Sequence, residues 1–233
     1  MAEIVEHVTE RPALFRPAVV RAILDDRKSQ TRRIVKPQPP EGAGRIECGR
    51  YHPSIIVRGE EEPGPEVFGV YSLDGGFGLP CPYGQPGDRL WVREKFALCD
   101  GEPIYWSDNH SDDQMASRKW KPSIHMPRCA SRLTLEVTDI RVERVQDISE
   151  EDAKAEGVEP LPRYSCLSPW VAGQDGDQRI KTYRTGFVYV WNEIHAKDGF
   201  GWAANPLVFV IHFKRRGRWC GGLNDQPIRP DSR

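Results

Sequence analysis

Two short stretches carry residue types able to do acid–base chemistry. The first is Leu24-Asp-Asp-Arg-Lys-Ser-Gln-Thr-Arg-Arg-Ile-Val35, in which Arg27, Lys28, Arg32 and Arg33 crowd around Thr31. Lys28 and Thr31 stand three positions apart, so on a last helical turn or across a tight turn their side chains converge. An amine whose pKa is lowered by burial or by neighbouring cations can take a proton from a hydroxyl or a water. The plain alternative is a solvated cationic face, which is what most runs of Lys and Arg are. The second stretch is Ser149-Glu-Glu-Asp-Ala-Lys-Ala-Glu-Gly157. Its Glu156 falls in the last turn of a predicted helix, where the backbone dipole disfavours an acid. It is either an ordinary surface glutamate or a carboxylate held there for use.

A third stretch, Cys81-Pro-Tyr-Gly-Gln-Pro-Gly-Asp-Arg-Leu-Trp-Val-Arg-Glu-Lys-Phe96, reads as a turn into a strand. Pro86-Gly87-Asp88 supplies the turn. Leu90, Val92 and Glu94 then point one way, and Trp91, Arg93 and Lys95 the other. Mixed faces of this kind suit a small barrel lining a pocket. Trp106 and Trp120 can stack on bases or pack internally, and packing is the commoner outcome.

The elements that must hold these residues are legible in outline. Phe15–Leu24 predicts a helix, with Pro17 in its first turn and Val19, Val20, Ile23 and Leu24 as its stripe. Residues 32–36 predict a short strand, so the basic cluster sits where a helix hands over to a strand. Arg132–Val145 predicts the longest strand. Its alternation of Leu133, Leu135 and Val137 slips before Ile140 and Val142, which implies a bulge near Asp139. Ser149 caps the predicted helix that Gly157 ends, with Asp152 standing in for the capping-box acid. Residues 184–195 predict a helix whose Phe187, Val190, Trp191 and Ile194 form a core face, and 206–214 predict a closing strand. Residues 37–80, 99–131 and 159–182 read as irregular insertions, the first with at most a small hairpin around Val67–Tyr71.

Composition excludes several classes. With 33 basic and 34 acidic residues the net charge is −1, so any nucleic-acid partner must meet a local patch such as 27–36 or 118–128. No apolar run reaches membrane-spanning length, and the start, Met-Ala-Glu-Ile-Val-Glu-His, lacks a secretion signal's basic start and apolar centre. The expected setting is therefore cytoplasmic, without a membrane partner. The six cysteines, Cys48, Cys81, Cys99, Cys129, Cys166 and Cys220, contain no C-x-x-C pair, so neither a zinc site nor any other cofactor is expected.

Four segments in order resemble the ASCH domain family: Arg27–Arg33, Pro86–Val92, Ile148–Gly157 and Val208–Phe213. Lys119–Arg128 and the longer insertions are similar to phage and prophage members. The resemblance implies an α+β fold: a small PUA-like β-barrel with flanking helices. It implies a single domain over 12–215 and a flexible tail over 216–233. Small bacterial members are N4-acetylcytidine amidohydrolases that use a Lys, a Thr three residues later and a Glu near the end of the helix after the long strand. Carried across, these are Lys28, Thr31 and Glu156 as catalytic residues, with Arg27, Arg32, Arg33, Trp91, Arg93 and Glu94 as substrate-binding candidates. The substrate implied is a modified nucleoside or RNA, and the protein would be phage- or prophage-encoded and act in the host cytoplasm. Two other readings stay open: an RNA-binding module or ribonuclease, and a non-catalytic accessory protein that binds a host or phage protein through its insertions.

Overall fold

The computed structural model describes residues 8–108, 118–162 and 181–216. The 159–182 insertion therefore lies largely outside the described residues, as does the tail from 217 onward. Arg216, expected in the tail, still belongs to the last strand.

The fold is α+β. Five strands form its central sheet: β1 (Glu10–Leu14), β2 (Gln30–Ile34), β8 (Arg89–Arg93), β11 (Thr134–Arg144) and β14 (Leu207–Arg216). Their order across the sheet is β1-β8-β11-β14-β2. β1 runs parallel to β8, and every other neighbour is antiparallel. β1 and β2 are the two edges, and among the described residues no ladder joins them.

β14 shows why its sequence is almost continuously apolar. Leu207, Phe209, Ile211 and Phe213 pack into one core, with Leu135 and Val137 of β11 and Val20 and Ile23 of α1 (Pro17–Leu24). Val208 and Val210 face the other way. They meet Ala153 of α2 (Glu150–Ala155) and Phe187 and Trp191 of α3 (Tyr183–His195). A strand covered on both faces must be apolar at every position. The register of β11 against β14 shifts between Val137 and Asp139, where the alternation breaks in the sequence.

The 37–80 segment is more regular than its Pro and Gly content suggests. It holds β3 (Ile46–Tyr51), β4 (Ser54–Val57), β5 (Glu60–Pro63), β6 (Val67–Ser72) and β7 (Gly78–Pro80). β3, β6 and β7 form one small sheet, and β4 and β5 a hairpin. Val70 of β6 is fully buried against the main core, so the segment is part of the packed body. Within 99–131, β9 (Phe96–Cys99) pairs with β10 (Glu102–Tyr105) as a hairpin, and Phe96, Met126 and Ala130 close a small core of their own. A two-residue pair, β12 (Leu161–Pro162) with β13 (Lys181–Thr182), leads into α3. Among the described residues no helix is long and apolar enough to cross a membrane.

Candidate active site at the free edge of β2

The last turn of α1 and the start of β2 bring the basic cluster against the end of α2. Ser149 accepts the Asp152 amide at 3.0 Å and starts α2, and Glu156 terminates it. Gly157 follows with φ +77°, the left-handed turn that closes a helix. That turn carries the chain against Lys28: a Cβ on Gly157 would stand 2.9 Å from the Cβ atoms of both Ala22 and Lys28. Gly157→Ala combines a left-handed non-glycine residue with this clash. It is expected to cost at least about 1–2 kcal/mol, read as a lowered urea midpoint; an unchanged midpoint would contradict this packing.

Lys28 and Glu156 meet. The Lys28 amine donates to Glu156 Oε2 at 2.5 Å and to the Glu156 main-chain oxygen at 2.8 Å. Both side chains are almost completely buried. Burial pushes the Lys28 amine below its ordinary pKa, against the opposing pull of Glu156, and Arg33 and Arg32 push the same way as burial. Thr31, also buried, has no side-chain hydrogen bond among the described residues, and none joins it to Lys28. All three line one cavity of about 670 Å³, in the size range of small-ligand sites. Phe15, Tyr83, Phe187 and Trp191 add apolar wall.

Arg32 has a different place from the one expected of a substrate-binding residue. Its side chain has no exposed surface. It donates to Glu143 through Nε and Nη2, to Asp152 through Nη2, and to Glu156 and Gln30 through Nη1. Arg141 joins the same cluster through Asp152 and Glu143, and also contacts His212. Lys28, Arg32 and Arg141 thus face Glu143, Asp152 and Glu156, charge for charge. Asp152 looks in its sequence like a helix-capping acid. Burial would raise its pKa, but the Gln30 amide and the Arg141 and Arg32 guanidiniums hold it lower. The guanidinium of Arg32 is thereby a positioning group that orients Glu156, with no donor left for a ligand.

The main chain of Arg32 is another matter. Ser29 accepts from Phe213, and Val35 donates to Leu207. In an antiparallel ladder the bonded positions alternate, so 29, 31, 33 and 35 turn toward β14, and 30, 32 and 34 turn toward the free edge. The Arg32 N–H therefore points outward. Since its side chain is sealed, the small exposed part of Arg32 that lines the cavity is this backbone.

Of the other candidates, Arg27 and Arg33 line the cavity. Arg27 is tied to Asp25 and Glu159 at its rim. Trp91, Arg93 and Glu94 do not line it. β8 is separated from β2 by β11 and β14 in the sheet. The Arg93 guanidinium lies over the Trp91 ring. Glu94 is buried with Arg132 and Ser107, where it ties the β8 end to the following loop. Val190 and Ile194, read as core, instead line the cavity together with His195. Nothing in the local sequence marks Gln30, Glu143 or Arg141 as members of the site cluster; Gln30 and Glu143 depend on partners more than a hundred residues away, and Arg141, beside Glu143 on β11, reaches Asp152 only through the packing of β11 against α2. Among the described residues no group of His, Cys, Asp and Glu side chains is arranged to hold a metal ion.

Comparison of the chain with protein-family models, with curated proteins and with solved structures finds no match.

Proposed function

We propose that the cavity is the active site of an amidohydrolase of the ASCH type, which removes an acyl group from a modified nucleoside or base such as N4-acetylcytidine. The observation that carries the reading is the buried 2.5 Å contact between Lys28 and Glu156, 128 residues apart in sequence, on a cavity wall shared with Thr31. A buried amine of lowered pKa beside a carboxylate is the pairing a proton-transfer site needs. The PUA-like barrel belongs to the same proposal. Its support is the way Arg33 of β2 reaches the Leu14 carbonyl at the end of β1, bridging the two edges of the open sheet.

Since no hydrogen bond joins Lys28 to Thr31, the nucleophile in this proposal is a water held between them. Lys28 takes a proton from it, and the oxygen attacks the acetyl carbonyl. The outward N–H of Arg32 is the donor best placed for the resulting oxyanion. The Glu156–Lys28 pair returns the proton to the exocyclic nitrogen as the C–N bond breaks, releasing acetate and cytidine. Incubation with N4-acetylcytidine and with its 5′-monophosphate, followed by chromatography for the deacetylated product, tests this directly; no product above the buffer control from either would end the reading.

The pH dependence follows from the Lys28 amine. Below its lowered pKa it is an ammonium and cannot accept a proton; above it the base is free. Hydrolysis is expected to rise with pH through a midpoint below the ordinary lysine range and then level off. A rate that is flat from pH 5 to 10 would remove Lys28 from the base role.

A module that binds RNA without hydrolysing it, or a ribonuclease, is the second reading. Cations on the cavity wall favour it. Salt-sensitive RNA binding that is indifferent to Glu156→Gln would select it.

A further inference from the structure

The cavity contains cations that acyl hydrolysis does not use. Arg16, at the amino end of α1, Arg33, on β2, and Lys36, just beyond it, all line the wall, as does His195 in the last turn of α3. Arg27, Lys28 and Arg32 on the same wall are paired with carboxylates. Arg16, Arg33 and Lys36 form no ion pair among the described residues. Glu156 and Glu159, the carboxylates of the cavity, are already held by Lys28, Arg32 and Arg27. Three positive charges of the cavity lining are thus left without a counter-charge among the described residues.

These cations converge. The imidazole of His195 is pushed down by burial first, with Asp198 opposing, and then by Lys36, Arg33 and Arg16 together. The Arg33 guanidinium is fixed in place: it lies 4.9 Å over the Phe15 ring and 5.9 Å from that of Tyr83, and Nη2 donates to the Leu14 carbonyl at 2.7 Å. Its Nε is buried with no hydrogen-bond partner. A guanidinium so held, with donors to spare, is built to take an oxyanion. Ala18 and Val19, in the first turn of α1, line the same wall, so the positive end of that helix adds to the field.

Arg33 also stands in register with the proposed chemistry. It is two residues beyond Thr31 on β2, so the two side chains leave the same face of the strand, roughly 6.6 Å apart at Cα. A ligand with its acyl group at Thr31 and Lys28 would extend its far end toward Arg33, Arg16 and Lys36.

We propose that Arg16, Arg33, Lys36 and His195 form a phosphate subsite, so that the substrate of this cavity is a phosphorylated acylcytidine, either a mononucleotide or a residue within an oligonucleotide, in preference to the free nucleoside. The inference rests on the amidohydrolase reading for the identity of the base, but not for the anion. Arg16 and Lys36 are exposed, so their replacement leaves the core intact.

The test is equilibrium binding by calorimetry of three ligands to the full chain: cytidine, cytidine 5′-monophosphate, and tricytidylate lacking a terminal phosphate. The comparison chain is the double variant Arg16→Met/Lys36→Met. Cytidine 5′-monophosphate is expected to bind at least about tenfold more tightly than cytidine, the gap shrinking in high salt and in the double variant. If tricytidylate gains this advantage and the monophosphate does not, the phosphate is that of a polymer backbone. Equal affinity for all three, or an advantage that survives the double variant, overturns the subsite. Turnover of N4-acetylcytidine and of its 5′-monophosphate, measured alongside, separates the two claims. Turnover with no phosphate preference removes the subsite alone, and phosphate-dependent binding without turnover removes the hydrolase alone.

Discussion

Arg32→Met is expected to destabilise the protein by about 3–5 kcal/mol, which is the range for removing one partner of a buried charge cluster. The substitution keeps a long unbranched side chain, so the loss is not one of volume. What is lost is the fork that holds Glu143, Asp152 and Glu156 together through Nε, Nη1 and Nη2. Arg141 still reaches Asp152 and Glu143, and Lys28 still reaches Glu156. Two cations then serve three carboxylates in a region with little water. The deficit has a sign in pH. A carboxylate without its counter-charge has a raised folded pKa, so the penalty is full near neutrality and shrinks as acid protonates it. Urea unfolding at pH 7 and pH 5 reads both effects. A loss below about 1 kcal/mol at pH 7, the level of a surface pair, would show that Arg32 does not hold the cluster. Arg32→Lys is expected to fall between, since one ammonium replaces the charge but not the fork.

Lys28→Met is expected to reduce acyl hydrolysis by about 10²- to 10⁴-fold, the contribution of a well-placed general base, with a smaller loss of stability than Arg32→Met, because the Arg32 fork still bonds all three carboxylates. Two physical terms set the stability outcome. The variant gives up the hydrogen bonds to the Glu156 carboxylate and carbonyl. It also relieves the burial of an amine, the same burial that pushes its pKa down. Glu156 keeps its bond from Arg32 at 3.2 Å, so it is not left unpaired. The measurement is kcat/KM for N4-acetylcytidine beside a thermal midpoint. Wild-type turnover in a folded Lys28→Met protein would reject the assignment. The pairing of these two variants separates neighbours in one cluster: Arg32 should act on the fold and through Glu156, and Lys28 on the reacting proton.

The free edge of β2 connects these expectations. A strand interior to the sheet would spend the backbone of Arg32 on a ladder partner on each side. At the edge, the outward N–H and C=O groups meet α3 and the cavity instead of another strand. Gly186 lets α3 come close to the turn that follows α2: a Cβ there would fall 2.0 Å from the Glu159 carbonyl. The cavity is therefore shaped by helix packing against an unpaired edge.

Local sequence determined a good deal of this protein. Pro17 with its apolar stripe specifies α1, Ser149 and Gly157 bracket α2, and the slip after Val137 marks the bulge in β11. These signals act within a few residues, through caps, periodicity and φ preferences. The residue types at Lys28, Thr31 and Glu156 were legible as well, as was the oddity of an acid ending a helix. Tertiary structure decided the rest. β1 has no strong pattern of its own and exists because β8, 79 residues later, pairs with it. The short strands of 37–80 likewise take their shape from one another and from the core that covers Val70. A sequence also cannot say whether an arginine is solvated, sealed or left over. Arg32 is neutralised by three carboxylates more than a hundred residues away, and Arg33, its neighbour, by none among the described residues. The reason is that the worth of a charge depends on the field and the water around it, and those are set only when distant segments have packed.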